Sequence, residues 1–271
     1  MFTTVTTIWS REMRSFFSRP GGWLILLAAT VPAAVAAGWM ATLVSRGGLA
    51  LRADEDPVSQ FLGPNIFLMG TLLWLAPLLT MNAIADDRRR GTWELLVTSP
   101  ATAMEIVVGK FLAAWTLISV CLVPWPLLLG ALRVWNGKSR ELAGWIPWFD
   151  GPGISFDAGL FWGGVIGLLV IAGTIAALGT LTSAIARRPL FAGFATATVL
   201  ALLLATSLLP RVLDQWRVPA DRYDWIQTVA VWGHLAEFSR GIIPVSRVIG
   251  HLSASVVLVW SAGQLCRRAD G

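Results

Sequence analysis

Six apolar stretches of roughly 20 residues set the terms for this chain: about 22–44, 63–85, 106–132, 158–186, 190–209 and 245–265. A helix rises about 1.5 Å per residue, so a run of about 20 crosses a hydrocarbon core about 30 Å thick. In lipid the backbone must satisfy its own hydrogen bonds, which makes each run a helix. The expectation is therefore an all-α integral membrane protein of six transmembrane helices, with residues 1–271 forming one domain. Composition agrees. Apolar residues make up 55% of the 271 and charged residues 14%, and the mean hydropathy is +0.66, far too apolar for a soluble domain of this length. Fifteen tryptophans against one tyrosine suit a chain that anchors its helix ends with indole, as Trp23 and Trp39 would for the first span.

The isoelectric point near 10.2 does not point to nucleic acid, because the basic residues are spread over short loops and form no stripe. The two cysteines, Cys121 and Cys266, build no disulfide framework: one lies mid-helix and the other beside the terminal arginines. His234 and His251 stand 17 residues apart without acidic or cysteine neighbours, so a hydrogen-bonding role is expected and a metal site is not. A cleavable leader is not expected either, since the apolar run continues past the small residues Ala34-Val35-Ala36.

The first twenty residues are amphipathic. Val5, Ile8, Trp9, Met13, Phe16 and Phe17 share one helical face, with Arg11 and Arg14 opposite, which predicts a helix lying on membrane lipid until Pro20-Gly21-Gly22 turns the chain inward. Glu12 breaks the pattern. It falls on the apolar arc between Val5 and Phe16, so either the side chain snorkels or it meets a polar partner.

Between the second and third spans the sequence reads Asp86-Asp87-Arg88-Arg89-Arg90. An ion at mid-bilayer costs about 2.5–3.5 kcal/mol on insertion scales, so five in a row end two spans on one side and face water. Gly91 breaks the preceding helix. Thr92 is placed to cap a short new one with Glu94 in its first turn, Leu95 and Leu96 give that helix an apolar edge, and Pro100 stops it. Thr102-x-x-Glu105 is then a capping-box pattern opening the third span. On residues alone this segment is either a solvated hairpin closure or a docking element for a soluble partner.

The order of residues from 77 to 112 resembles the permease subunits of ABC-2-type transporters, in particular the branch named for gliding-motility permeases. The matching positions are Pro77, Leu79-Thr80-Met81, Asp86-Asp87, Arg88, Gly91-Thr92, Glu94-Leu95-Leu96, Thr98, Pro100, Glu105 and Gly109-Lys110. Asn82 stands where that branch usually has arginine, and aspartates replace glutamates at 86 and 87. The resemblance implies that this segment is a cytoplasmic coupling helix seated on a separate ATP-hydrolysing subunit. The interface would comprise Asp86, Asp87, Arg88, Arg89, Arg90, Gly91, Thr92, Trp93, Glu94, Leu95, Leu96, Thr98, Pro100 and Glu105. Arg11, Glu12 and Arg14 would belong to the interfacial helix, and Glu12 to a contact rather than a snorkel. Two permease subunits, identical or related, would pair. Gly163 and Gly167, spaced for close helix contact, form a candidate seam between them.

No nucleotide site is expected in this chain, so Mg-ATP would belong to the partner and the chain would not itself be an enzyme. Gly109-Lys110 echoes the end of a P-loop, but Phe111 replaces the required Ser/Thr and Met104 the first glycine. The membrane segments carry no Asp, Glu, Lys or Arg except Lys110, Arg247 and Asp157, all near their ends, which argues against an ion- or proton-coupled secondary transporter. A non-transporting scaffold remains the other alternative to an exporter. With the N-terminus, the 86–105 loop, Arg187-Arg188 and the C-terminus on one side, that side holds 11 basic and 6 acidic residues against 10 and 10. The positive-inside rule then puts both termini in the cytoplasm, for a multi-pass protein of the bacterial inner membrane.

Overall fold

The computed structural model describes residues 2–45, 56–93, 101–132, 158–216 and 230–268. All regular structure among them is helical. The elements are α1 (Phe2–Phe17), α2 (Pro20–Ser45), α3 (Pro57–Leu62), α4 (Ile66–Thr80), α5 (Ala85–Arg89), α6 (Ala103–Leu122), α7 (Ala158–Ile185), α8 (Pro189–Gln215), α9 (Val231–Ser239) and α10 (Val245–Arg268). Among the described residues, six segments are long and apolar enough to cross a membrane. The aromatic segment 133–157 and the first part of the amphipathic pattern expected from Asp221 lie outside the described residues.

The bundle is organised around α7. This helix is apolar all round, its glycines and alanines are buried along much of its length, and it packs against α10, α9, α6 and α8. Its small side chains let neighbours approach closely, and larger residues from α3 and α9 fill the space: Phe61, Leu62, Trp232, Leu235 and Phe238 are each at most 1% exposed. A second apolar cluster of Ile8, Ile84, Trp93, Ile106, Val107, Val259 and Cys266 closes the other end of the bundle.

Three spans differ from the hydropathy plot. The second starts later than expected, at Ile66, and a short helix, α3, precedes it. Gly63-Pro64 separates α3 from α4, and Asn65 bridges the break: its Oδ1 accepts from Leu68 N at 2.8 Å while its Nδ2 donates to Phe61 O at 2.7 Å. The same span also stops early, at Thr80, and residues 81–84 form turns before α5. In the third span Pro124 and Pro126, which supply no N–H, follow a turn at Val123, after which the helix resumes to Leu132. The fifth runs past residue 209, through Pro210, to Gln215.

The glycine stripe of α7, a candidate subunit seam in the sequence, packs against α9 within the chain. A Cβ on Gly167 would stand 2.3 Å from Phe238 Cβ, and one on Gly163 would stand 2.8 Å from Phe238 O. Both glycines are buried. They admit α9, a helix too short and too far along the sequence for a stripe of small residues to reveal it as the partner. The histidines help fix α9 in place: His234 Nδ1 and His251 Nε2 are 3.1 Å apart, and His251 Nδ1 lies 2.9 Å from Thr174 Oγ1. That chain of contacts joins α9, α10 and α7.

Candidate coupling site

The charged run folds as α5 and the turn after it, and the structure divides its side chains into two sets. Asp86 holds Arg89 and Arg90, each at 2.8 Å, across i,i+3 and i,i+4 spacings. The two arginines remain exposed. Asp87 and Arg88 turn inward. A fully water-facing run was expected; the helical period instead puts neighbours on opposite faces of α5.

Arg88 reaches under the bundle. Its guanidinium donates to Ala184 O, approaches Cys266 Sγ at 3.5 Å, and lies 5.5 Å from the centre of the Trp93 ring. Ser183 closes the same turn from α7: its hydroxyl accepts from Ile84 N and Ala85 N at 3.0 and 3.1 Å and donates to Met81 O at 3.2 Å. Those contacts satisfy backbone groups freed where α4 ends.

Asp87 is the hinge of the site. Its Oδ1 accepts from Thr92 Oγ1 at 3.2 Å, which ties the start of the next helical turn back to α5. Its Oδ2 lies 2.6 Å from Lys110 Nζ on α6, an ion pair that joins the two helices. Lys110 is only 4% exposed, and its Nζ also donates to Glu12 Oε1 at 3.2 Å on α1. Arg11 Nη2 lies 3.3 Å from the same oxygen, Glu12 Oε1. Two cations and two carboxylates therefore balance across three elements: α1, α5 and α6.

The approach of α1 to α6 depends on Gly109. A Cβ there would meet Ile8 Cβ at 2.9 Å, so the glycine lets the interfacial helix lie close enough for Glu12 to reach Lys110. Trp9 Nε1 adds a 3.1 Å hydrogen bond to Thr116 Oγ1. Arg14, exposed in the last turn of α1, takes no part in this junction.

Gly91 stands at φ +69°, a left-handed conformation that glycine adopts without steric cost, and it ends the helical segment as expected. Thr92 and Trp93 are helical at the edge of the described residues, and Trp93 is buried. Glu94, Leu95, Leu96, Thr98 and Pro100 lie outside them. Beyond that gap the capping box is complete: Thr102 Oγ1 accepts from Glu105 N at 3.3 Å, and Glu105 Oε2 accepts from Thr102 N at 2.9 Å. Glu105 thus serves the start of α6. Sequence reasoning did not find Lys110 as the bridge, or Ser183 as the clamp. Glu12's misplaced charge signalled only that a partner existed.

Residues 48–227, roughly two thirds of the chain, match the family described as ABC-2 family transporter protein. No curated protein matches the chain. Permease components of that family work with an ATPase subunit, which accords with a charged, partly exposed turn at one end of the helical bundle. The chain belongs to the ABC-2 transporter family, as a multi-pass membrane permease component of an ATP-binding-cassette transporter.

Proposed function

We propose that this chain is the membrane half of an exporter whose energy comes from ATP hydrolysed on a separate subunit, seated on the turn between α5 and α6. The observation that carries this reading is the divided charge of that turn. Arg89 and Arg90, held by Asp86, form an exposed surface for a partner, while Asp87 on the same short helix is held by Lys110 and, through it, by Glu12. A push on the segment following Thr92 would reach α6 and α1 together, because Thr92, Asp87 and Lys110 are in direct contact. The rest of the bundle would rock against that unit and release cargo outward.

The charge bias supports a cytoplasmic location for this turn and both termini, in a bacterial inner membrane. A second permease subunit, identical or related, completes the transporter, and the partner's Mg-ATP is the only cofactor this reading needs. The motif from Pro77 to Lys110 favours the gliding-motility branch within the family. Glu94→Lys tests the seat. It opposes the helix dipole and any basic residue on the partner, and losing a charge pair desolvated by docking is worth about 2–5 kcal/mol. The variant should insert and express normally, yet lose co-purifying ATPase and stimulated hydrolysis. Wild-type binding and stimulation would reduce the turn to a hairpin closure.

A further inference from the structure

At the end of the bundle opposite the charged turn, a cavity of about 420 Å³ opens between α2, the α3–α4 break and the end of α9. Its inner wall is apolar, with Phe61 and Met40 at 1% and 3% exposed, whereas Trp39 and Ile66 at its rim are 62% and 80% exposed. Most of its polar groups are already engaged. Ser59 donates to Asp56 O, Ser239 donates to Ala236 O, and Asn65 spans the helix break. Arg240 differs. It is exposed, and the nearest acid before it in sequence, Glu237, is taken by Arg247 at 3.4 Å. Among the described residues no carboxylate lies within ion-pair distance of Arg240.

We propose that this cavity binds a membrane amphiphile with an anionic head group. The head group faces Arg240, with the Gln60 side chain in the same lining, and the acyl chain lies along Trp39 and Ile66. Two features select this class. An arginine without an internal counter-charge favours an anion. Exposed indole and isoleucine on membrane-spanning helices place the mouth of the cavity at the boundary between head groups and hydrocarbon, where a soluble anion would leave the apolar wall uncovered. The inference rests on the chain spanning a membrane and not on the ATPase seat or the cargo.

The test is native mass spectrometry of the full chain in detergent, titrated with phosphatidylglycerol or with phosphatidylcholine of the same acyl chains. The anionic lipid should be retained several-fold more. Arg240→Gln should lower its affinity about fivefold, the effect of one cation near an anionic head group, and Arg240→Lys should restore most of it. Arg267→Gln, which removes an exposed arginine at the opposite end of the bundle, should leave retention unchanged. Equal retention of both lipids would overturn the proposal, as would equal losses from Arg240→Gln and Arg267→Gln. Displacement of the lipid by glycerol phosphate at matching concentration would assign the site to soluble anions and overturn it too. Arg240 is exposed and follows α9, so these substitutions leave the bundle folded; an unchanged thermal midpoint confirms this for each variant.

Discussion

Asp87→Ala should lower the thermal midpoint of the purified protein by about 6–12 °C, one of the two largest effects expected from a single change. The variant leaves the buried Lys110 ammonium with one carboxylate instead of two, and that carboxylate is the more distant, at 3.2 Å rather than 2.6 Å. Breaking a buried pair by removing one partner typically costs about 3–5 kcal/mol, because the remaining ion keeps its desolvation penalty. For a domain of 150–250 residues each kcal/mol moves the midpoint about 2–4 °C, and the range above uses the low end of that cost because Glu12 remains. Adding Lys110→Met to Asp87→Ala should recover much of the loss, since apolar groups of similar size often replace a buried pair at little cost. Glu12→Ala should cost less, its side chain being 31% exposed, and Ser10→Ala should change nothing measurable. Melting curves followed by tryptophan fluorescence read all four. Equal midpoints for Asp87→Ala and Ser10→Ala would mean that the junction of α1, α5 and α6 carries no stability.

Gly167→Ala should be nearly as damaging, for a steric reason. The new methyl group would stand 2.3 Å from the Cβ of Phe238, an atom fixed to the backbone that cannot swing away. Overpacking of this kind costs about 1–3 kcal/mol. Gly70→Ala provides the contrast, because nothing lies within 4 Å of its added Cβ and alanine is favoured over glycine inside a helix by about 0.5–1 kcal/mol. Gly70→Ala should therefore match or exceed wild type. A seam between subunits predicts a different outcome: Gly167→Ala would melt like wild type and lose only its dimer on cross-linking. Packing against α9 predicts a lowered midpoint at protein concentrations where subunits are apart.

Which features could be read from the sequence depended on how local their physics was. The capping box needed only Thr102 and Glu105 three residues apart, and the helix stop at Gly91 needed one residue. Glu12 was conspicuous because a carboxylate does not belong on an apolar arc, but its partner is 98 residues away, and periodicity carries no information over that distance. Lys110 belonged to a recognisable Gly-Lys pair, yet nothing local announced that two acids converge on it. The stripe at Gly163 and Gly167 correctly indicated close approach, though not which helix approaches. Gly63-Pro64 marked the start of the second span, but the six residues before it gave no sign of the separate short helix α3. Ser183 was hidden for a different reason: a serine near the end of a membrane helix is unremarkable until a turn from another span delivers two free N–H groups to it.

In the proposed transporter the turn after α5 faces the cytoplasm and seats an ATPase. A single cysteine at position 89, with Cys121 and Cys266 replaced, tests both parts at once. Arg89 is exposed, whereas both native thiols are buried. A membrane-impermeant maleimide should leave position 89 unlabelled in intact cells and label it once the cytoplasmic side is opened, with the ATPase subunit slowing the reaction when it is present. Labelling from outside intact cells, or a labelling rate unaffected by the ATPase, would contradict the account.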